Sequence, residues 1–323
     1  MKPILLYYKI QSFQNFSLEY LEDNFDVIVL DSPKHDQPDI LKRINVLFAP
    51  MGYLYDKEKI DLCEQLSIIA TPTTGEHHID TEYAKSKGIR ICSLKNQQHF
   101  LQKISATAEL TWGLIICLTR KILQAEKSVR NIKWNGKIFG EKTPKMLSEM
   151  SLGILGLGRL GKIVANYGKA FNMDVFYYDP YVKNENFIRC DHLHDLARKS
   201  DIVSVHVHLN EKTKNLVGLD FLDQMPSGSY LVNTSRGGIV NEKDLVKALE
   251  KNHLAGAAVD MLENEHLPDF NIFKNSLMEY AQTHDNVIIT PKIGGVTKDS
   301  WEMVEKHIID LIINELQKRN GSN

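Results

Sequence analysis

The sequence is poor in three features that would assign the protein to a particular class. Its four cysteines form no Cys-x-x-Cys or Cys-x-x-His pair, so we expect buried free thiols, not a metal site or disulfides. No stretch of about 18 apolar residues is present, and Lys9 interrupts the opening segment too early for a signal peptide. A formal net charge of -2 leaves no excess of positive charge for nucleic acid or a membrane surface. These absences predict a cytoplasmic protein without a metal, nucleic-acid or membrane partner.

The length and the order of the apolar runs indicate an α/β protein. With 323 residues, 43% of them hydrophobic, the chain can bury large cores and is expected to form two domains. Short apolar runs predicted as strands alternate with amphipathic stretches predicted as helices. Strands are expected at residues 4–8, 27–30, 46–49, 68–70, 89–91, 202–207, 230–233, 256–260 and 287–289. Helices are expected between the early strands, at residues 18–24, 40–44, 57–65 and 81–87.

The most informative stretch runs from Leu152 to Gly161. An apolar run stops there at three glycines spaced Gly-x-Gly-x-x-Gly, ahead of a predicted helix. Gly156 suits a tight turn, Gly158 lets the backbone approach a pyrophosphate, and Gly161 lets the helix pack close to its strand. The helix N-terminus would bind the pyrophosphate through backbone N–H groups. This order of elements predicts a dinucleotide-binding domain.

Asp179 ends the next predicted strand, residues 175–178. It stands about 20 residues beyond the glycines, where an acceptor for the adenosine ribose hydroxyls belongs. Pro180 and Tyr181 follow it, so no arginine stands there to pair with a 2′-phosphate. The carboxylate would repel NADP, and we therefore predict NAD as the cofactor.

Residues 70–80 form a loop rich in small residues after a predicted strand. Its backbone N–H groups could bind an anion, such as a substrate carboxylate, at the carboxyl edge of a parallel sheet. An ordinary strand-to-helix turn, with Asp80 capping the next helix, accounts for the same residues. The sequence of the loop alone favours this second interpretation.

Three longer segments complete the chain. Residues 105–130 are predicted as one long helix, so apolar around its circumference that a domain or subunit must cover it. Residues 263–285 are a polar connection of a length that is usually functional or mobile. Residues 298–318 are predicted as an amphipathic helix that returns to the first domain.

Several ordered motifs resemble those of the D-isomer-specific 2-hydroxyacid dehydrogenases. They are the glycine loop and the segments Ala106 to Leu110, Leu231 to Val240, Gly256 to Asp260 and Thr290 to Gly295. The resemblance implies a flavodoxin-like substrate domain, residues 1–100 plus 298–323. It implies an inserted Rossmann-type, doubly wound NAD-binding domain, residues 101–297. It also implies an active site in the cleft between the domains and a homodimer built largely through the inserted domain.

The chemistry of this family gives a role to three charged residues. Hydride transfer to a 2-keto acid needs a cation for the substrate, a proton donor for the alkoxide and a group that orients the donor. By resemblance, Arg236 is the cation and Glu265 is the carboxylate that partners the acid/base residue. Lys292 occupies the acid/base position itself. An ammonium at this position would favour the reducing direction.

The resemblance also implies the remaining contacts of the site. Asp260 matches the residue that holds the nicotinamide carboxamide. Arg236 and the backbone N–H groups of Thr74 and Gly75 are expected to bind the substrate. Cofactor contacts are expected from Gly156, Gly158, Arg159, Leu160, Gly161, Asp179, His206, Thr213, Thr234, Ser235, Asp260 and Lys292.

The chain departs from the family pattern around the expected site. Lys292 replaces the histidine of a Pro-His pair, and His266 replaces the proline that usually follows the glutamate. Thr73 replaces a glycine at the front of the substrate loop. Where the family usually has His-x-Pro, this chain has His206-Val207-His208, so His208 replaces the proline. These departures leave open which 2-keto or 2-hydroxy acid the protein takes.

Two functions are compatible with these residues. One is an active NAD-dependent dehydrogenase that interconverts a 2-keto acid and a D-2-hydroxy acid. The other is a catalytically inactive NAD(H)-binding regulatory protein of the same fold. Arg236 and Glu265 favour the enzyme, because an inactive site has no physical need for either charge beside a cofactor.

The role of Asp179 predicts a preference between two cofactors. We expect the wild-type protein to bind NADH at least about tenfold more tightly than NADPH, because two like charges in contact repel each other. Asp179→Ala should narrow this difference. Fluorescence titration of both proteins with both cofactors measures it, and equal affinities in the wild type would contradict the assignment.

Overall fold

The computed structural model describes residues 2–140, 145–265 and 270–320. The chain divides into two compact units. The first unit comprises Met1–Ile104 together with Val296–Asn323, and the second comprises Ser105–Gly295. In sequence, the second unit is therefore an insertion into the first.

The first unit contains a five-stranded parallel sheet. Its strands are β1 (Ile4–Tyr8), β2 (Asp26–Leu30), β3 (Val46–Phe48), β4 (Ile68–Ala70) and β5 (Arg90–Cys92). The order β2-β1-β3-β4-β5 is that of flavodoxin-like sheets. Each strand lies within one residue of its predicted position at either end.

The second unit contains a seven-stranded parallel sheet. Its strands are β6 (Ser151–Leu155), β7 (Asp174–Tyr178), β8 (Ile188–Arg189), β9 (Ile202–Val205), β10 (Ser229–Asn233), β11 (Leu254–Val259) and β12 (Val287–Ile289). The order β12-β11-β10-β9-β6-β7-β8 is the Rossmann order with one strand added at an edge. The predicted fold class is confirmed.

The α-helices of the described chain connect these strands. They are α1 (Asn15–Asn24), α2 (Pro38–Leu41), α3 (Lys57–Asp61), α4 (Thr81–Ser86), α5 (Gln98–Leu101), α6 (Ala106–Thr119), α7 (Ile122–Arg130), α8 (Lys137–Gly140), α9 (Arg159–Ala170), α10 (Leu193–Lys199), α11 (Leu219–Leu222), α12 (Glu242–Glu250), α13 (Ser276–Ala281) and α14 (Lys298–Asn320). None of the helices in these residues has the length and apolar character that crossing a bilayer requires.

Both sheets are buried on both faces, as parallel sheets usually are. In the first unit, α14 inserts Ile308, Ile309 and Ile312 into the core on one face, and α2, α3 and α4 pack on the other. In the second unit, α6 and α9 cover one face, whereas α10 to α13 cover the opposite face. The C-terminal helix thus belongs to the first unit.

Two predicted segments differ from the structure. The single helix predicted over residues 105–130 is wrong, because the chain breaks at Lys121, which has a left-handed φ of 51°, between α6 and α7. The predicted connection at residues 263–285 is not a plain loop. It contains the short helix α13, whose first turn is capped by Asn275 through an N–H bond from Met278. Both features depend on single backbone conformations that hydrophobic periodicity does not report.

Candidate active site

The glycine loop lies between β6 and α9 and is shaped by close backbone approach. Gly156 has a φ of 93°, and a Cβ there would lie 2.6 Å from Val207 Cγ1 and 2.9 Å from the His206 carbonyl oxygen. A Cβ on Gly161 would lie 2.1 Å from the Gly156 carbonyl oxygen. A Cβ on Gly158 would meet no protein atom within 4 Å. The protein itself therefore requires the first and third glycines, whereas the second faces open space.

Helix α9 begins at Arg159, so Arg159, Leu160 and Gly161 form its first turn. The backbone N–H groups of a first helical turn have no partner within the helix, and the helix dipole is positive there. The sheet order reverses between β6 and β9, which is where doubly wound sheets bind their ligands. The loop therefore fits the pyrophosphate of a dinucleotide.

The Asp179 carboxylate holds the glycine loop against the end of β7. Its Oδ2 accepts the N–H of Leu157 at 2.9 Å, and its Oδ1 accepts the N–H groups of Tyr181 at 2.8 Å and Val182 at 3.0 Å. This side chain thus shapes the loop in addition to the ribose contact that the sequence predicts for it. The ribose contact itself stays a prediction.

His206 follows β9 on the opposite side of the glycine turn. Its N–H donates to the Leu155 carbonyl oxygen at 2.7 Å, and its Nε2 lies 2.8 Å from Ser204 Oγ. Desolvation lowers the pKa of His206 to about 4, so the imidazole is neutral at pH 7. Further along the same loop, Thr213 Oγ1 donates to the His208 carbonyl oxygen at 2.6 Å. Both predicted cofactor residues therefore lie on one short loop beside the glycines.

Asn233, at the end of β10, organises the turn that carries the predicted substrate cation. Its Oδ1 accepts the N–H of Ser235 at 3.0 Å, and its Nδ2 donates to the Arg236 carbonyl oxygen at 2.9 Å. Thr234 Oγ1 lies 2.8 Å from Thr111 Oγ1 in the interior. The Arg236 side chain is exposed, and among the described residues its Nη1 donates only to the Ser235 carbonyl oxygen at 2.7 Å. Its guanidinium is therefore available to a ligand.

This turn packs directly on the segment that carries the predicted partner carboxylate. A Cβ on Gly237 would lie 2.1 Å from the Leu262 carbonyl carbon, so only glycine permits this approach. Glu265 Oε2 accepts the N–H of Leu262 at 3.1 Å. The buried Glu242 carboxylate accepts the N–H of Glu263 at 2.6 Å, and burial raises the pKa of Glu242.

Asp260 shapes the turn that presents Lys292. The buried carboxylate accepts Thr290 Oγ1–H at 2.6 Å and the N–H groups of Ile293 and Gly294 at 2.9 and 2.8 Å. Its main-chain carbonyl oxygen accepts the N–H of Lys292 at 3.0 Å. Lys292 adopts a left-handed φ of 58° at the tip of this turn. A contact between Asp260 and the nicotinamide stays a prediction.

The structure pairs two of the three predicted catalytic residues. Lys292 Nζ lies 3.1 Å from Glu265 Oε1, with the lysine side chain 59% exposed and the glutamate side chain 19% exposed. Arg236 makes no ion pair with Glu265. The arrangement supplies an ammonium oriented by a carboxylate, which is a proton donor held in place.

In the first unit, the loop after β4 supports both interpretations that its sequence left open. Asp80 caps α4 by accepting the N–H of Tyr83 at 2.9 Å. The backbone N–H groups of Thr74 and Gly75 donate to no residue that the structure describes. The loop therefore starts a helix and still leaves two N–H groups for an anion.

Sequence reasoning missed Asn233 and Glu242, which hold the two segments that carry Arg236 and Glu265. Asn233 had a signal that could have found it, because a polar residue stands directly at the end of a buried strand. Glu242 had none, because an acidic residue in the first turn of a helix is ordinary. His266 lies outside the described residues.

Comparison with known proteins identifies the family. The family described as D-isomer specific 2-hydroxyacid dehydrogenase, NAD binding domain, matches residues 112–294. A protein of Staphylococcus haemolyticus with the provisional name 2-hydroxyacid dehydrogenase is 30% identical over 312 residues, which are 94% of this chain and 93% of that protein. This chain belongs to the D-isomer-specific 2-hydroxyacid dehydrogenase family. The residues that match the NAD-binding domain of this family lie within the second unit.

Solved structures agree with this assignment. D-lactate dehydrogenase of Aquifex aeolicus, complexed with NAD and lactic acid, is 26% identical with a TM-score of 0.80, over 98% of this chain and 96% of that one. D-2-hydroxyisocaproate dehydrogenase is 20% identical and shares the fold with a TM-score of 0.83, over 98% and 97%. NAD is the cofactor of this dehydrogenase.

The glycine geometry predicts that two neighbouring substitutions affect different properties, one the affinity for NADH and the other the stability of the protein. Gly158→Ala should leave the thermal unfolding of the cofactor-free dehydrogenase unchanged, because a Cβ fits, but should weaken NADH binding at least about tenfold by blocking the pyrophosphate. Gly161→Ala should destabilise the protein by about 1–3 kcal/mol or more through overpacking. Thermal unfolding and NADH fluorescence titration separate the two effects. NADH affinity at the wild-type level in Gly158→Ala would place the pyrophosphate elsewhere.

Proposed function

We propose that this dehydrogenase reduces a 2-keto acid to a D-2-hydroxy acid with NADH, using Lys292 as the proton donor. The observation that carries the proposal is the Lys292–Glu265 ion pair of 3.1 Å within the NAD-binding unit. Lys292 directly follows Pro291, at the position where the resemblance places a catalytic histidine. The more exposed ammonium of Lys292 can reach a substrate, while the more buried carboxylate of Glu265 orients that ammonium.

The chemistry follows from the charges of these side chains. Bound NADH supplies the hydride that forms the new C–H bond at the keto carbon. The Arg236 guanidinium, a planar fork of N–H donors, binds the substrate carboxylate and polarises the carbonyl. As the C=O bond becomes a C–O single bond, Lys292 Nζ gives its proton to the alkoxide oxygen. Solvent then reprotonates the exposed amine.

The first unit is proposed as the substrate domain, residues 1–100 plus 298–323. The N–H groups of Thr74 and Gly75, which have no partner in the described part of the chain, support this proposal, because two adjacent backbone donors suit a carboxylate. Screening identifies the substrate. The rate of NADH oxidation is measured with each member of a panel of aliphatic and aromatic 2-keto acids. If the protein binds NADH and reduces none of them, the catalytically inactive regulatory alternative replaces the enzyme.

Substitution of Lys292 tests the proton donor. With any 2-keto acid that is reduced, Lys292→Ala and Lys292→Gln should lower kcat by about 100-fold or more, because general acid catalysis is lost. Lys292→His should recover part of the rate. Its alkaline limb should shift toward neutral pH, because an imidazolium loses its proton near about pH 6.5. Steady-state rates across pH measure all three.

Lys247 provides the matched control. It is 55% exposed, lies in the same unit and pairs with Asp244 at 3.0 Å, so Lys247→Ala removes an equivalent surface charge away from the site. It should retain the wild-type rate and pH profile. A Lys292→Ala variant as fast as the wild type, with the same profile, would show that another group donates the proton.

We also propose that the dehydrogenase is a homodimer formed through α7, α8 and the segment between them. This face exposes six large apolar side chains, an unusual concentration on a monomer. They are Ile122, Leu123, Val129, Ile132, Trp134 and Ile138. Ile132 is 95% exposed and Trp134 is 90% exposed.

Sedimentation at micromolar concentration tests this interface. We expect a dimer for the wild type and a monomer, or a dimer weakened at least about tenfold, for Trp134→Glu, because a buried unpaired charge opposes association. Phe273→Glu is the control, since Phe273 is 77% exposed in the same unit but lies outside this face. A monomeric wild type would refute the proposal.

A further inference from the structure

The Thr74–Gly75 turn in the first unit lies between two attachments to one neighbouring segment. Before the turn, the Thr73 carbonyl oxygen accepts the N–H of Leu94 at 2.9 Å. After it, the Glu76 side chain reaches the same segment, residues 93–95, which follows β5. The two residues between these attachments are those whose N–H groups donate to no described partner.

The second attachment uses both oxygens of the Glu76 carboxylate. Oε1 accepts Ser93 Oγ–H at 2.6 Å, and Oε2 accepts Lys95 Nζ–H at 2.7 Å. Ser93 Oγ in turn accepts the N–H of Lys95 at 3.2 Å, which closes the network. Ile79 donates its N–H to the Glu76 carbonyl oxygen at 2.9 Å, so the main chain of this residue is held as well.

Burial and charge make this network stronger than a surface ion pair. The Glu76 side chain is only 12% exposed, and Ser93 is buried. Desolvation acts to raise the pKa of Glu76, but the hydrogen bonds and charge of Lys95 and the bond from Ser93 outweigh it and hold the pKa below its usual value. The carboxylate is therefore ionised at neutral pH, and its bonds are charge-assisted.

We propose that Glu76 is a positioning residue, which holds the Thr74 and Gly75 N–H groups in place for a carboxylate through its bonds to Ser93 and Lys95. This inference rests on the proposed function, since it gives that turn its substrate. Two N–H donors that are already held in place lose little conformational entropy when the ligand binds. Lys95 also neutralises a negative charge that stands next in sequence to an anion-binding turn.

The chain offers a matched control for this network. Lys42 and Glu64 lie in the same unit and pair at 3.7 Å, but both side chains are largely exposed and neither acts on Glu76 or Lys95. The test variants are Glu76→Gln and Lys95→Met, and the controls are Glu64→Gln and Lys42→Met. Each pair of substitutions removes the same charges.

Amide hydrogen exchange measures how readily the hydrogen bonds on either side of the turn open, and it needs no substrate. The reporters are the amides of Leu94 and Ile79, which bond to the carbonyl oxygens of Thr73 and Glu76. Both amides should exchange at least about tenfold faster in Glu76→Gln and Lys95→Met, because the attachments loosen, and at the wild-type rate in the controls. Unchanged exchange in Glu76→Gln overturns the proposal.

Steady-state kinetics then test the consequence for substrate binding. With NADH saturating, Glu76→Gln should raise KM for the 2-keto acid by about 10- to 100-fold with kcat within about threefold, as expected when binding energy is lost uniformly. The affinity for NADH should stay at the wild-type level, which a general loss of structure would not allow. Lys95→Met should raise KM further than the Glu76→Gln/Lys95→Met double variant, because only the single variant leaves the Glu76 carboxylate charged without its cationic partner.

These measurements separate the two proposals. A KM at the wild-type level in Glu76→Gln overturns the positioning role even if exchange accelerates. If the wild-type dehydrogenase reduces no 2-keto acid, the proposed function fails, while the exchange rates of Leu94 and Ile79 still decide whether Glu76 holds the turn.

Discussion

Three polar side chains at the carboxyl ends of buried strands support the loops of the NAD-binding unit. Asp179 directly follows β7, Asn233 ends β10 and Asp260 directly follows β11, and each accepts N–H groups from a turn that has left the sheet. Backbone donors near a sheet edge must find acceptors once the ladder stops. Because the three side chains supply them, the glycine loop, the turn at residues 234–236 and the turn at residues 290–294 are each held by hydrogen bonds.

Close backbone approach is the second requirement of this unit. Gly156, Gly161 and Gly237 stand where a Cβ would overlap other chain atoms. Gly237 in particular lets the turn that carries Arg236 pack on the backbone of Leu262. The segments that carry Arg236 and Glu265 are therefore in direct contact. Gly158 differs from them, because the protein leaves space beside it. That space is what a cofactor phosphate needs.

The turn that carries residue 292 is held by groups other than the side chain at that position. The turn around Asp260 presents residue 292 beside Glu265 through main-chain and carboxylate bonds that do not depend on the side chain at 292. A lysine can therefore occupy the position without changing the turn.

The sequence by itself determined the two parallel sheets, the dinucleotide loop, NAD as cofactor and the family. Strand positions follow from local apolar runs, and the glycine spacing from Gly156 to Gly161 encodes a turn within a few residues. Only the tertiary structure decided that Gly237 packs on Leu262 and that Glu76 bonds to Ser93 and Lys95. It also decided the break at Lys121 and the roles of Asn233 and Glu242. These features depend on contacts between loops at the edge of a folded sheet, and a local pattern of residues does not predict such contacts.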